Sequence, residues 1–297
     1  MGKQKLLVLG STGLLGRSLI KVLSEDFEVY GMAHKSADFN IDITDDNALI
    51  KVLKKVSPTI IINTVAIVDH SYCESNPAEA YMVNTRPITI INDYIKNSDC
   101  YFIQISTDHY YKNDLKKKHT ERHPVVLTSE YSKTKFLAEQ LTLLNSKSLV
   151  LRTNIVGFKR NFTQASFVDW VFDSLSNHKQ ITLFDDFYTS SIHTVQLAKI
   201  LKKIISKRIP GILNIASSEV VSKKKFIEKF ASKFELSLKN TLTGSCKNFK
   251  DSKKKGDSLG LDTSKAEKIL GYPLPNLDEV IDSLFNEYLS RFDRRKK

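Results

Sequence analysis

The chain has 297 residues, 41% of them hydrophobic and 26% charged, with a formal net charge of +12 at pH 7. This length can bury a large core in one large domain or two smaller ones, and the composition is that of a soluble globular protein. No apolar run approaches the roughly 20 residues that a membrane-spanning helix needs. The chain shows no signal-peptide pattern and has three widely spaced cysteines, so we expect a cytoplasmic protein with reduced thiols and no metal site.

The positive charge is concentrated in short basic runs. These runs lie at residues 116–118, 223–225, 253–255 and 294–297. They are scattered along the chain and lack the interleaved aromatic residues of a nucleic-acid-binding segment, so specific nucleic-acid binding is not expected. A solvated surface whose field attracts a doubly anionic small molecule is the preferred interpretation.

The predicted elements alternate between strand and helix over the first 156 residues. Apolar runs predict strands at residues 5–9, 28–33, 59–64, 101–106 and 148–152. Helical periodicity predicts helices from residue 18 and at 48–56, 78–95 and 131–144, the third being bent near Pro87. This alternation implies a parallel sheet covered on both faces.

Beyond residue 156 the pattern is looser and mostly helical. Helices are predicted at residues 167–175, 194–206, 223–234, 263–270 and 277–292, with short strands at 181–184 and 211–216. The Lys-rich segment 247–257 is predicted to be an exposed loop.

Three glycines follow the first strand, with two residues between each pair. Gly10 would allow a sharp turn, Gly13 the approach of a pyrophosphate to the backbone, and Gly16 the close packing of the helix on the strand. The same turn without a ligand is the alternative. The spacing resembles that of the short-chain dehydrogenase/reductase superfamily, especially its extended branch, which makes the whole turn a candidate cofactor site. The candidates in the turn are Gly10, Ser11, Thr12, Gly13, Leu14, Leu15 and Gly16.

The end of the second strand bears on the choice of cofactor. An NAD site usually places an acidic residue here to bind the ribose 2′-hydroxyl, but this chain has His34 and Lys35. These side chains would suit a 2′-phosphate, so NADP(H) is favoured and NAD(H) is kept as the second choice; a basic loop without preference is the alternative. In extended members of the superfamily, an Asp and an apolar residue at the place of Asp42 and Ile43 contact the adenine.

Small and polar residues end the strand at 59–64. Parallel sheets bind ligands at the carboxyl ends of their strands beside a switch point, and Asn63, Val65 and Ala66 are predicted to stand there. Small side chains would let the cofactor's ribose lie against the backbone. A strand end with no ligand contact is the alternative.

The predicted chemistry centres on Thr107, Tyr131 and Lys135. Tyr131 and Lys135 are four residues apart on a predicted helix, so they share one face. A phenol, with a reference pKa of about 10, donates a proton poorly at neutral pH unless a nearby cation such as Lys135 stabilises the phenolate. Thr107 would hold a substrate carbonyl, and Tyr131 would protonate its oxygen as hydride arrives from the nicotinamide. A chance Tyr-x-x-x-Lys match is the alternative.

With these motifs the chain resembles the dTDP-4-dehydrorhamnose reductase family of extended short-chain dehydrogenases/reductases almost end to end. The matching segments are 63–66, 74–84, 106–111, 131–135, 151–153 and 261–267. The resemblance implies a Rossmann-type doubly wound parallel sheet (residues 1–157 plus 192–216) and a smaller, mostly helical substrate domain (residues 158–191 plus 217–297). It also implies NADPH-dependent reduction of a nucleotide-activated 4-keto-6-deoxy sugar in surface polysaccharide biosynthesis, and it leaves a homodimer open.

Individual residues carry over with the resemblance. Asn84 and Thr153 join Tyr131 and Lys135 as implied cofactor contacts. The implied substrate contacts are Thr107, Asp108, His109, Asn154, Phe167 and Trp170.

Three departures from the family pattern fall on the substrate side. Residues 67–72 replace a Thr-x-Val-Asp-Lys segment, Gln196 replaces an Asp, and residues 254–256 replace an Arg-Pro pair. Two other functions therefore stay open. One is a sugar-nucleotide epimerase or dehydratase of the same superfamily, and the other is a non-catalytic NADP-binding regulatory subunit like the methionine adenosyltransferase beta subunit.

Overall fold

A computed structural model describes residues 2–159, 165–248 and 256–292. The chain divides into two compact units. Unit 1 comprises Met1–Thr107, Leu127–Arg152 and Ala198–Leu213, and unit 2 comprises Asp108–Val126, Thr153–Leu197 and Asn214–Lys297. The assignment of a cofactor domain and a substrate domain, with the bounds given above, stays a prediction.

The described chain contains helices and strands in close alternation. The strands are β1 (Lys5–Leu9), β2 (Glu28–Ala33), β3 (Phe39–Asn40), β4 (Ile60–Asn63), β5 (Tyr101–Ile105), β6 (Leu149–Arg152), β7 (Ile155–Val156), β8 (Ile181–Phe184), β9 (Tyr188–Thr189), β10 (Ile192–His193), β11 (Gly211–Asn214), β12 (Val221–Ser222), β13 (Thr241–Gly244) and β14 (Ser258–Leu259). The helices are α1 (Leu14–Leu23), α2 (Asp46–Val56), α3 (His70–Ser75), α4 (Pro77–Asn84), α5 (Arg86–Ile95), α6 (Glu130–Leu143), α7 (Phe167–Ser176), α8 (Thr194–Lys207), α9 (Lys223–Lys233), α10 (Ser264–Leu270) and α11 (Leu277–Phe292).

Unit 1 is built on a seven-stranded sheet with the order β11-β6-β5-β4-β1-β2-β3. Strands β1 to β6 pair in parallel. β4 and β5 are buried along their whole length, as expected where helices cover both faces of a parallel sheet. The predicted doubly wound α/β fold is confirmed.

A topological switch point lies beside β1. Its neighbours are β2, the next strand in the chain, and β4, on the opposite side. The strand order therefore reverses at β1, and sheets of this kind bind ligands at the carboxyl ends of the strands at such a point. The glycine turn and residues 64–66 both follow strands at this point.

Two helix boundaries in unit 1 differ from the sequence prediction. α1 begins at Leu14 rather than at residue 18, because Gly13 is its extended N-cap (φ −70°, ψ 176°). The predicted helix 78–95 is two helices, α4 and α5, that meet at Thr85. Pro87 lies in the first turn of α5, where its missing N–H has no helical partner to lose.

The short helix α3 was not predicted. It begins where the Asp69 carboxylate accepts a hydrogen bond of 3.0 Å from the backbone N–H of Tyr72. Its six residues are too few for helical periodicity to appear in the sequence. The helix matters because it carries His70.

Unit 2 combines three small sheets with helices packed around an aromatic core. The sheets pair β7 with β10, β8 with β13, and β9 with both β12 and β14. In the core, Phe158 and Phe172 lie against Phe234, and the rings of Phe230 and Phe234 stack at 4.1 Å. Most of these strands have two residues, too few for the sequence to show alternation.

The predicted Lys-rich loop at 247–257 falls mostly on residues 249–255, outside the described residues, as do the basic runs 253–255 and 294–297. The prediction of exposure is wrong at Gly256, which is buried. A Cβ atom there would lie 2.6 Å from the carbonyl oxygen of Tyr111, so backbone packs directly on backbone. Within the described residues, no helix combines the length and the apolar character needed to cross a membrane.

Candidate active site

The glycine turn of unit 1 is packed so closely that side chains would not fit. Gly10 has a φ of +82°, and a Cβ atom on it would lie 2.5 Å from Thr64 Oγ1. A Cβ atom on Gly16 would lie 2.1 Å from the carbonyl oxygen of Gly10. The first turn of α1 therefore lies directly on the turn that follows β1.

The same turn leaves hydrogen-bonding groups available for an anion. Gly13 caps α1 without any side-chain hydrogen bond, so the N–H groups of the first helical turn have no side-chain cap. Ser11 Oγ is buried and has no hydrogen-bond partner among the described residues. A helix N-terminus with a neighbouring hydroxyl fits a phosphate, so these residues suit the pyrophosphate of a dinucleotide.

The residues after β2 offer charges of both signs. His34 and Lys35 are exposed, as a contact with a 2′-phosphate requires. Sequence reasoning missed Asp38, whose carboxylate accepts a hydrogen bond of 2.7 Å from the backbone N–H of Gly31 in β2. An acidic group thus lies near the end of β2 although none follows it directly in the sequence. The only sign of this acidic group in the sequence was that Asp38 stands five residues past the end of β2.

The predicted adenine contacts, Asp42 and Ile43, are both engaged in contacts within unit 1. The Asp42 carboxylate accepts hydrogen bonds from the Thr44 N–H and Oγ1, which lower its pKa, and the charge of His34 lowers it further. Ile43 is 3% exposed and packs in the core of unit 1. The contact of Asp42 and Ile43 with adenine stays a prediction.

Two buried asparagines hold the segment that follows β4. Asn63 donates to Gln104 Oε1 at 2.8 Å and accepts from the Val65 N–H at 3.0 Å. Asn84 accepts from the Ile67 N–H at 2.7 Å and donates to the carbonyl oxygen of Ile67 at 3.1 Å. Their observed role is to fix the backbone around Val65 and Ala66, which keep partial exposure.

The N-terminus of α6 presents Tyr131. The helix begins with a capping box in which Ser129 Oγ accepts from the Ser132 N–H and Ser132 Oγ accepts from the Ser129 N–H. Tyr131 is 7% exposed, and its ring lies 4.6 Å from that of His70. Sequence reasoning marked residues 67–72 as altered but did not place His70 beside this tyrosine.

Lys135 connects α6 to the end of β5. Its Nζ donates a 2.7 Å hydrogen bond to the carbonyl oxygen of Ile105, two residues before Thr107. Burial lowers the pKa of Lys135 to about 8, although the carboxylate of Glu139 opposes that shift. The side chain is therefore still mainly a cation at pH 7. Thr107 is 3% exposed at this strand end.

A buried ion pair lies behind these residues. Arg152 donates to Glu139 through Nε at 3.0 Å and through a terminal nitrogen at 2.7 Å, and both side chains are at most 3% exposed. Ser106 Oγ donates to the same carboxylate at 2.6 Å. This network joins the end of β5 to β6 and α6. Arg152 entered the sequence analysis only within the matching segment 151–153, and the ion pair was not predicted.

In unit 2, the predicted substrate residues Asp108 and Asn154 are hydrogen-bonded. Asn154 Nδ2 donates to Asp108 Oδ2 at 2.8 Å, and Asn154 Oδ1 accepts from Ser191 Oγ at 2.7 Å. His109 Nε2 lies 3.9 Å from Asp108 Oδ1. The Thr153 hydroxyl is buried and has no hydrogen-bond partner among the described residues.

Lys223 joins this group, against the expectation of a solvated basic run at 223–225. Its Nζ lies 3.9 Å from the centroid of the Phe167 ring, a cation–π contact. Burial lowers the pKa of Lys223 to about 8, with the charge of Asp108 acting in the opposite direction. Trp170, with its ring 6.3 Å from that of Phe167, is 43% exposed.

A glycine turn at the switch point of a parallel sheet, with a buried Tyr and Lys on the helix beside β5, defines an extended short-chain dehydrogenase/reductase of Rossmann type. The RmlD substrate binding domain family matches residues 4–290, and the chain belongs to this family. The resemblance stated from the sequence is thereby confirmed.

The similarity to individual relatives extends over nearly the whole length of both proteins. The chain is 25% identical to the probable low-salt glycan biosynthesis reductase Agl14 of Haloferax volcanii, over 95% of this chain and 99% of that protein. It is 28% identical to the crystal structure of a hypothetical dTDP-4-dehydrorhamnose reductase from Sulfolobus tokodaii, with a TM-score of 0.81 over 93% of this chain and 99% of that one. The dTDP-4-dehydrorhamnose reductase of Bacillus anthracis, solved in complex with NADP, has a TM-score of 0.86 at 21% identity, over 96% of this chain and 100% of that one, and shares the fold.

Proposed function

We propose that the chain is an NADPH-dependent reductase of a nucleotide-activated 4-keto-6-deoxy sugar and serves the biosynthesis of a surface glycan. The observation that carries the proposal is the anchoring of Lys135 on the carbonyl oxygen of Ile105, with Tyr131 one helical turn away and Thr107 two residues past the end of β5. The names of the relatives support the substrate class, since they include a glycan biosynthesis reductase and dTDP-4-dehydrorhamnose reductases.

The residues of unit 1 fit a dinucleotide. The proposed pyrophosphate site is the glycine turn with the N-terminus of α1, and Ser11 Oγ supplies a further donor. A bound NADPH supplies the hydride. The exposed His34 and Lys35 favour a 2′-phosphate, and the carboxylate of Asp38 is already engaged by the Gly31 N–H.

In the proposed reaction, Tyr131 is the general acid. Its O–H donates a proton to the ketone oxygen as the carbonyl carbon is reduced to an alcohol. The cationic Lys135 stabilises the phenolate that results, and the hydroxyl of Thr107 orients the ketone by a hydrogen bond. Asp108, His109, Asn154, Phe167 and Trp170 are the proposed substrate residues of unit 2, and we add Lys223, whose charge suits a diphosphate.

Net consumption of NADPH tests the function. The purified chain is incubated with NADPH and a panel of dTDP-, UDP- and GDP-linked 4-keto-6-deoxy sugars, and cofactor and sugar products are quantified. We expect one NADPH oxidised for each sugar alcohol formed. Interconversion of sugars without net cofactor use would assign an epimerase instead, and NADPH binding without turnover of any sugar would favour a regulatory subunit.

A further inference from the structure

Three potential metal ligands converge in unit 2, outside the proposed active site. Among the described residues, Asp114, His119 and His123 bring one ligand atom each to within 4.8 Å of one another. Asp114 Oδ2 lies 3.2 Å from His119 Nε2 and 3.7 Å from His123 Nε2. Ligand atoms bound tetrahedrally to Zn²⁺ at about 2.0–2.1 Å lie about 3.3 Å apart, so the two distances to Asp114 are close to those of such a site.

A backbone hydrogen bond orients the ring of His119. Its Nδ1 lies 2.7 Å from the carbonyl oxygen of Gly260, which can only accept, so Nδ1 carries a hydrogen and donates it. The other ring nitrogen, Nε2, faces the carboxylate of Asp114 at 3.2 Å. A metal ion bound between these two groups would also be within reach of His123. A backbone hydrogen bond that fixes the tautomer is the usual support of a metal-binding histidine.

Two of the three ligands, His119 and Asp114, are held in place by neighbouring groups of unit 2. The backbone N–H of His119 also donates to the carbonyl oxygen of Gly260, at 2.9 Å, and its ring stacks on that of Tyr111 at 3.9 Å. The backbone N–H of Asp114 donates to Ser258 Oγ at 2.9 Å. Such preorganisation reduces the entropy lost on binding.

We propose that Asp114, His119 and His123 form a binding site for a divalent transition-metal ion, best fitted by Zn²⁺, with a fourth position open to water. Two imidazoles and one carboxylate suit Zn²⁺ and its transition-metal neighbours, whereas Mg²⁺ and Ca²⁺ prefer oxygen ligands. The ion would clamp residues 114–123 onto the backbone near Gly260. The proposal is independent of the proposed reductase activity.

One neighbouring cation competes with the ion. Lys117 Nζ lies 3.6 Å from Asp114 Oδ2, and its side chain is 50% exposed. Because the lysine can swing into solvent, metal binding needs only the loss of a surface ion pair. Lys117→Gln is therefore expected to strengthen metal binding, by up to about fivefold.

Metal titration of the untagged, full-length chain tests the site. The chain is stripped with a chelator, dialysed and titrated with Zn²⁺ by calorimetry and with Co²⁺ by visible absorption. We expect one Zn²⁺ per chain, Co²⁺ d–d bands of a nitrogen and oxygen site without a thiolate charge-transfer band, and no binding of Mg²⁺ at this site. His123→Ala and Asp114→Ala each remove a ligand and are expected to weaken Zn²⁺ binding by at least about 100-fold.

The controls separate this site from non-specific binding. His178 is an exposed histidine elsewhere in unit 2, and its φ of 53° is one that Asn tolerates, so His178→Asn should keep the wild-type affinity. Far-UV circular dichroism confirms that each variant is folded. Equal Zn²⁺ affinity in the wild type and both ligand variants overturns the proposal, as does the absence of saturable Zn²⁺ binding by the wild type.

Discussion

The structure predicts that Glu139→Gln changes both the stability and the pH dependence of the activity. The carboxylate is 0% exposed and accepts hydrogen bonds from Arg152 and Ser106. The amide of Gln would turn an NH₂ group toward the guanidinium and leave Arg152 buried without a counterion. Removing one partner of a buried ion pair costs about 3–5 kcal/mol, and that is the expected loss in the free energy of unfolding.

Glu139→Gln should also lower the pKa of Lys135. Glu139 raises the pKa of that lysine against the larger effect of burial, so its removal should bring the pKa below about 8. A smaller share of Lys135 is then cationic at a given pH. The alkaline limb of the kcat/KM profile should move to lower pH, because the cation that stabilises the phenolate is lost earlier.

Denaturant unfolding and pH–rate profiles of the full chain measure the two effects. Asp173→Asn is the matched control, since it removes an exposed carboxylate that pairs with Lys179 at 2.6 Å and should cost less than about 1 kcal/mol. A loss for Glu139→Gln no larger than that of the control would refute the assigned role of the buried pair. An alkaline limb that stays in place or moves upward would refute the coupling to Lys135.

Three further substitutions probe the glycine turn and the buried lysine. Gly16→Ala places a Cβ atom 2.1 Å from the Gly10 carbonyl oxygen and should cost about 1–3 kcal/mol of unfolding free energy, whereas Gly13→Ala, at 3.1 Å, should cost less. Equal losses of stability in thermal unfolding would contradict the packing described. Lys135→Met should lower kcat/KM by about 10²-fold or more without lowering stability at pH 7. Because burial lowers the folded-state pKa of Lys135 to about 8 from 10.5, its ammonium destabilises the wild type fully below pH 8. The free energy of unfolding of the wild type should therefore increase relative to that of Lys135→Met as the pH rises from 8 toward 10.5. The same pH dependence of the free energy of unfolding in both proteins would contradict this.

Local signals in the sequence predicted the core of unit 1 well. The glycine spacing, the continuous apolar runs of β4 and β5, and the four-residue step from Tyr131 to Lys135 each depend on neighbouring residues alone. The family resemblance supplied the substrate class, which composition and periodicity do not reveal.

Features that depend on tertiary packing were missed. Lys223 belongs to a run of three lysines, and the contact of its ammonium with the ring of Phe167 and the influence of the Asp108 charge arise only in the folded chain. The pairing of Asp38 with Gly31 and the contact of His70 with Tyr131 join residues whose proximity no periodic pattern encodes.

The cluster of Asp114, His119 and His123 shows the same limit. The three-residue interval between His119 and His123 occurs in zinc sites, but here it lacks the paired cysteines that accompany it in zinc fingers, and it was not singled out from the sequence. The ring of His119 is oriented by its hydrogen bond to Gly260, a contact between residues 141 positions apart that no local pattern reveals.

The central claim, that Tyr131 is the proton donor of a ketone reduction, is tested most directly by Tyr131→Phe. The variant removes one hydroxyl and keeps the ring that packs against His70. NADPH oxidation with the substrate that the sugar panel identifies should fall by about 10²–10⁴-fold, while NADPH affinity stays at the wild-type value and Tyr272→Phe, outside the proposed site, keeps full activity. Undiminished turnover by Tyr131→Phe would contradict the account.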